Sequence, residues 1–294
     1  MEKIHRILVG LDVIEKSDNV LKRALQIAAE NQTDLFVVHA IHIPWLAMPN
    51  YLNTDEISVD KSSIEKMIEN KIVTLNEKTK VPYTIFVKEG RSEDILLYEA
   101  QLHKADMMVI GAHSKKKGRK GFLGTTAQKV AHKSHIPVLV VKNSAKKVYE
   151  NIVAPTDFEA ASKESVLFAK QIFPSSKWHL VNVFETIYFE GPYALVGRDL
   201  SQFNPVAKNV ANNDMKAFMK EVGVKKGKII DADLDLKATL LEYINKKTFS
   251  LTVVGSQGTA GINALLGSVA AYILRESEND VLVYVPKKTR DEVE

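Results

Sequence analysis

At 294 residues, with 45% apolar and 26% charged side chains, the chain has the length of about two domains and an ordinary globular composition. It contains no cysteine, which excludes disulfides, thiolate metal sites and thiol nucleophiles. The net charge of +4 divides into +6 over residues 1–147 and −2 over the rest, and much of the excess sits in Lys115, Lys116, Lys117, Arg119 and Lys120.

Taken in chain order, short β-branched runs alternate with helical patterns. Strands are expected over 5–11, 34–41, 83–88, 106–111 and 137–142, each apolar enough to be covered on both faces. Between them Val20, Leu21, Ala24, Leu25, Ile27 and Ala28 recur at helical spacing, as do Ile64, Met67, Ile68, Ile72 and Leu75, then Ile95, Leu96, Tyr98 and Leu102. Ser92 is placed to cap the third of these helices. The same order returns with strands near 151–155, 178–184, 228–233, 250–255 and 280–285.

The return is a true repeat. Arg6-Ile-Leu-Val-Gly-Leu-Asp12 matches Asn151-Ile-Val-Ala-Pro-Thr-Asp157. Met108-Val-Ile-Gly111 matches Thr252-Val-Val-Gly255, Gly124-Thr125 matches Gly267-Ser268, and Val138-Leu-Val140 matches Val281-Leu-Val283. The matches keep one order and nearly one offset, so the chain reads as two copies of one domain, 1–146 and 147–294. Strand–helix alternation makes each copy a Rossmann-like α/β domain. It consists of a five-stranded parallel sheet with helices on both faces and right-handed crossovers.

In such sheets ligands bind beyond the C-terminal strand ends, where the strand order reverses. Three segments of each copy are expected there. They are the acidic turn at Asp12 or Asp157, the end of the second strand at Ala40 or Val183, and the glycine-bearing loop after the fourth strand. That loop reads Gly111-Ala-His-Ser114, nine residues, then Gly124-Thr125 in the first copy. In the second it reads Gly255-Ser-Gln-Gly258, eight residues, then Gly267-Ser268. Glycine admits a phosphate close to the backbone, and Thr125 or Ser268 at a helix start would add free N–H groups and a favourable dipole.

The pattern Gly-x2-Gly-x9-Gly-Ser/Thr after a strand, paired with an Asp after the first strand, resembles the universal stress protein family. The resemblance covers nearly the whole chain, once per copy. It implies an adenine nucleotide alpha hydrolase-like fold, with the Asp on the adenosine of ATP and the glycine loop around the phosphates. Carried over by position, the first copy would use Gly10, Leu11, Asp12, Ala40, Gly111, Ser114, Gly124, Thr125 and Thr126. The second would use Pro155, Thr156, Asp157, Val183, Gly255, Gly258, Gly267, Ser268 and Val269. Ser114 replaces the second glycine of the first copy, and the second copy's loop is one residue short. A serine Cβ at 114 is the larger departure, which favours the second copy as the nucleotide site.

The resemblance implies ATP as ligand, Mg²⁺ only with the nucleotide, a stress-response role through contacts with other proteins, and a pseudo-dimer of the two copies, with a homodimer also allowed. The alternative is a tandem scaffold that binds no nucleotide. A dedicated adenylate enzyme on the same fold lacks a visible acid–base pair, so no catalytic residue and at most slow ATP hydrolysis are expected. Asp12 and Asp157 are lone carboxylates in their turns, and no metal site is expected. The basic run reads as a solvated loop without aromatic platforms beside it, so no specific nucleic-acid binding is expected. His39 and His42, on one strand, read as core or surface residues rather than ligands, and His113 lies inside the glycine loop. Ile43 to Tyr51, and Tyr188, Phe189, Pro192 and Tyr193, follow the second strands, where packing clusters are expected rather than lids. With no leader pattern at the start and no run of about 18 apolar residues, no membrane segment and a cytoplasmic location are expected.

Overall fold

The structure, a computed structural model, describes residues 3–13, 18–42, 60–112, 123–185, 204–232, 235–246, 249–256 and 266–286. The chain divides into two units, Met1–Val148 and Tyr149–Glu294. In the first, β1 (Arg6–Gly10), α1 (Asp18–Asn31), β2 (Asp34–Ile41), α2 (Lys61–Asn76), β3 (Tyr83–Glu89), α3 (Ser92–Leu102), β4 (Met107–Gly111), α4 (Thr125–Lys133) and β5 (Val138–Val141) follow one another. In the second come β6 (Asn151–Pro155), α5 (Ala160–Ile172), β7 (Lys177–Glu185), α6 (Asn204–Val222), β8 (Gly227–Ala232), α7 (Leu236–Lys246), β9 (Leu251–Gly255), α8 (Ser268–Glu276) and β10 (Asp280–Tyr284). All ten strands lie within two residues of the expected bounds.

Within the first unit the strands lie in the order β3-β2-β1-β4-β5, and every neighbouring pair is parallel. Within the second the order is β8-β7-β6-β9-β10, again all parallel. This is the expected parallel α/β fold, and the order has a physical reading. The central strands are covered on both faces: Ile7, Leu8 and Val9 of β1 and Met107, Met108 and Val109 of β4 are fully buried. The mixed strand β3 takes the edge, with Thr84, Lys88 and Glu89 exposed.

Helices cover each sheet in two pairs, α1 with α2 and α3 with α4 in the first unit, α5 with α6 and α7 with α8 in the second. The apolar stripe expected of α1 is buried throughout, from Val20 to Ala28. Two other helices turn differently from expectation. In α2, Ile68 and Ile72 are buried but Met67 is exposed. In α3, Tyr98 and Leu102 are more than half exposed, while the inward face carries Glu93, Leu96, Glu99 and Ala100. Buried charge is tolerated there because each carboxylate is paired. Glu93 accepts from Arg91 Nη2 at 2.6 Å and Lys129 Nζ at 2.8 Å, and Glu99 meets His103 Nε2 at 3.1 Å and Lys88 Nζ at 3.7 Å. Nor does Ser92 cap α3: Arg91 is the cap residue, without a side-chain cap bond, and Glu93 and Asp94 sit in the first turn where they favour the helix dipole.

Candidate functional site

In each unit the strand order reverses beside the first strand: β1 continues to β2 on one side and adjoins β4 on the other. Register then fixes what meets at the C-terminal end. Val9 lies opposite Val109 and Gly10 opposite Val38, so Gly10, Leu11 and Asp12 leave β1 between the ends of β4 and β2. Gly111 ends β4 and Ala40 lies at the end of β2. The backbone N–H of Gly124 donates to the Ala112 carbonyl at 2.7 Å, which ties the start of α4 to the end of β4. The first-copy candidates Gly10, Leu11, Asp12, Ala40, Gly111, Gly124, Thr125 and Thr126 are thereby set at one end of one sheet.

The second unit repeats the arrangement. Pro155 ends β6 and is followed by Thr156 and Asp157, Gly255 ends β9, and Val183 lies near the end of β7. Gly267, Ser268 and Val269 open α8. Asp157 is exposed and its Oδ1 is engaged locally, accepting from Ser162 Oγ at 2.6 Å and from the Glu159 N–H at 3.1 Å. A carboxylate has about four lone-pair positions, so this local use leaves acceptor capacity. Between Asp157 and Glu159, Phe158 adopts φ +69°, a left-handed conformation costly for a bulky residue, with its ring edge-on to Phe218 at 5.9 Å. The turn is thus locally over-determined by Ser162, Glu159 and the Thr156 hydroxyl, which accepts from the Phe158 N–H at 2.9 Å.

One feature common to both ends, and two more in the second unit, suit them to an anion. Gly124 and Gly267 are the cap residues of α4 and α8, both extended, with no side-chain cap bond and no acidic residue in the first turn. The first N–H groups of such helices are the groups an anion can satisfy. Glycine is also sterically required at the end of β9: a Cβ on Gly255 would stand 2.8 Å from the Ala161 carbonyl oxygen of α5. Beside it Ser256 is fully buried, and its hydroxyl has no hydrogen-bond partner among the described residues. Across the ladder from Gly255, burial together with Glu164 pushes the Tyr284 phenol up to about 12, so it stays a neutral donor to Glu164 Oε2 at 3.4 Å. An uncapped helix start, a glycine that must stay small and a buried hydroxyl without a partner fit a phosphate-bearing ligand.

Ser114, Gly258, His113, the basic run 115–120 and the segments 43–51 and 188–193 lie outside the described residues. His39 of β2 is buried with Nδ1 2.8 Å from the Leu11 carbonyl, and His42, just past the end of that strand, is exposed. Ser162, Asn182 and Ser256 were not singled out by sequence. A weak signal existed for Ser162, which follows Asp157 by five residues as Ser17 follows Asp12. Among the described residues no group of three or more His, Asp or Glu is placed to hold a metal ion, and no helix is long and apolar enough to cross a membrane.

The family model described as the universal stress protein family matches residues 3–142 and again 148–285. The chain belongs to the universal stress protein family. A universal stress protein of Methanocaldococcus jannaschii is 25% identical over 142 residues, 48% of this chain and 84% of that one. Among solved structures, a Pseudomonas aeruginosa protein of unknown function aligns with TM-score 0.73 at 18% identity, over 97% of this chain and 93% of its own. A universal stress protein from Archaeoglobus fulgidus aligns with TM-score 0.61 at 16% identity, over 95% and 97%. At these identities the structural likeness speaks for the fold, and the two family matches make this a tandem member.

Proposed function

We propose that this tandem universal stress protein binds an adenine nucleotide, ATP with its Mg²⁺, at the C-terminal end of its sheets, and that the bound state alters its contacts with other proteins in the cytosol. The observation that supports this most is the convergence, in each unit, of an acidic turn, a glycine-ended strand and an uncapped helix start. Asp12 or Asp157 would hold the nucleoside, and the N–H groups at the start of α4 or α8 would hold phosphate, where the helix dipole favours negative charge. The second unit is the stronger candidate, because its sequence keeps all three loop glycines and Ser256, next to Gly255, has a buried hydroxyl with no partner among the described residues. Among the described residues no general base stands out at this end of either sheet, and the reading includes at most slow hydrolysis.

Isothermal titration of ATP into the full chain and its Asp12→Ala and Asp157→Ala variants tests this reading. Binding is expected in the parent and to be weakened at least tenfold by Asp157→Ala, about 1.4 kcal/mol. Loss confined to Asp12→Ala would move the site to the first unit. An absence of heat with the parent, and no nucleotide carried by freshly purified protein in native mass spectrometry, would leave the scaffold reading in its place.

A further inference from the structure

The residue just before each site aspartate is held by both of its backbone groups, in the same way in the two units. In the first, the Leu11 N–H donates to the Val38 carbonyl at 2.9 Å, and the Leu11 carbonyl lies 2.8 Å from His39 Nδ1. In the second, the Thr156 N–H donates to the Val181 carbonyl at 2.9 Å, and Asn182 Nδ2 donates to the Thr156 carbonyl at 2.8 Å. Val38 and His39 correspond to Val181 and Asn182, since Gly10 pairs with Val38 and Pro155 with Val181. The ladder is therefore carried one residue past the strand end, with a side chain supplying the donor.

Histidine and asparagine look unalike, yet they share the property this position uses. His Nδ1 and Asn Nδ2 are both bonded to Cγ, so each presents an N–H at the same number of bonds from the backbone. Because the partner is a carbonyl, which only accepts, the imidazole must carry its proton on Nδ1, in either charge state. Leucine has the right bulk and lacks the donor. Each bond also satisfies a carbonyl that β1 or β6 would otherwise leave unpaired on quitting the sheet.

We infer that His39 and Asn182 are equivalent positioning residues, each clamping the carbonyl that precedes the site aspartate and so setting the direction in which the acidic turn leaves the sheet. The inference rests on the nucleotide reading of this end of the sheet for its functional consequence, and on the ligand-free protein for its structural one. It makes the two copies interchangeable at this position despite their different residues.

The test uses the full chain with His39→Leu, His39→Asn, Asn182→Leu and Asn182→His. In ligand-free protein, nitrogen NMR of the imidazole should show the Nδ1–H tautomer for His39. Amide exchange of Leu11 should quicken roughly five- to tenfold in His39→Leu, and that of Thr156 likewise in Asn182→Leu, because releasing the carbonyl eases local opening of a residue then held only by its N–H bond to Val38 or Val181. The swaps His39→Asn and Asn182→His should restore slow exchange, which a loss of mere bulk would not explain. ATP affinity, read for each unit in the background of the other unit's Asp→Ala variant, should fall about tenfold with leucine and return with the swap. An Nε2–H tautomer at His39, or exchange at Leu11 and Thr156 unchanged by leucine, overturns the clamp. Should the parent chain bind no ATP, the nucleotide proposal fails by itself, and the exchange data still decide the clamp.

Discussion

Glu93 shows how far a single carboxylate in this fold departs from its behaviour in water. Its hydrogen bond from Lys129, with smaller help from its own backbone N–H and from Arg91, holds its carboxyl at about 2 against burial, which acts the other way. A depressed folded-state value means that Glu93 stabilises the fold fully above the unfolded carboxylate range, near about 4.3, and loses that contribution as pH falls towards 2. Lys129 and Arg91 are about half exposed, so solvent screening limits the gain. Glu93→Gln should lower stability at pH 7 by about 1–2 kcal/mol and make no difference near pH 2; urea unfolding across that range checks it. The glycines make a second contrast. Gly255→Ala drives a Cβ against backbone, the Ala161 carbonyl oxygen at 2.8 Å, whereas Gly10→Ala meets the end of a flexible side chain, Leu96 Cδ2 at 2.9 Å. Thermal unfolding should show Gly255→Ala destabilised by about 1–3 kcal/mol and Gly10→Ala by clearly less.

Helix α3 is where periodicity in sequence and packing in space part company. Counting apolar residues alone puts Tyr98 and Leu102 on the inner face with Leu96. The helix instead turns Glu93 and Glu99 inward, because partners from other elements, Lys129 of α4 and Lys88 of β3, neutralise them. The Lys129 partner lies 36 residues away and leaves no local trace, while Arg91, Lys88 and His103 lie close in sequence but do not by themselves mark Glu93 and Glu99 as inward-facing. The strands were legible for the opposite reason: a doubly covered strand carries a short run of apolar residues, and β1, β4, β9 and β10 each show one. The cap of α2 was present but unread, with Asp60 accepting from the N–H groups of Ser62 and Ser63. Of the site, the acidic turns and helix starts were legible through the repeat. The holding residues were not, since His39 and Asn182 share no residue type and coincide only in register. The orientation of α3 predicts unequal responses: Leu96→Ala should cost about 2–4 kcal/mol, and Tyr98→Ser within about 0.5 kcal/mol of nothing, read from the midpoint of urea denaturation.

Across the whole molecule, positive charge is concentrated in the first half and centred on residues 115–120. Four or five clustered cations can retain a polyanion by releasing its counterions, an effect that weakens steeply with salt. Fluorescence anisotropy with a DNA duplex should therefore show weak retention at low ionic strength that disappears by about 0.15 M salt, without preference among sequences. Tight, salt-resistant binding to one sequence would contradict this and restore the nucleic-acid reading. The open starts of α4 and α8 carry a different consequence. Replacing Gly124 and Gly267 by aspartate or serine would let a side chain occupy the first N–H groups, a gain of a few tenths of a kcal/mol in an unliganded helix. The same substitutions would place a competitor, and with aspartate a repelling charge, on the groups proposed for phosphate. Durability and ligand capture therefore pull against each other at these two positions. A screen for heat-resistant variants of this chain would be expected to discover the caps and, in doing so, to select proteins deaf to the proposed nucleotide.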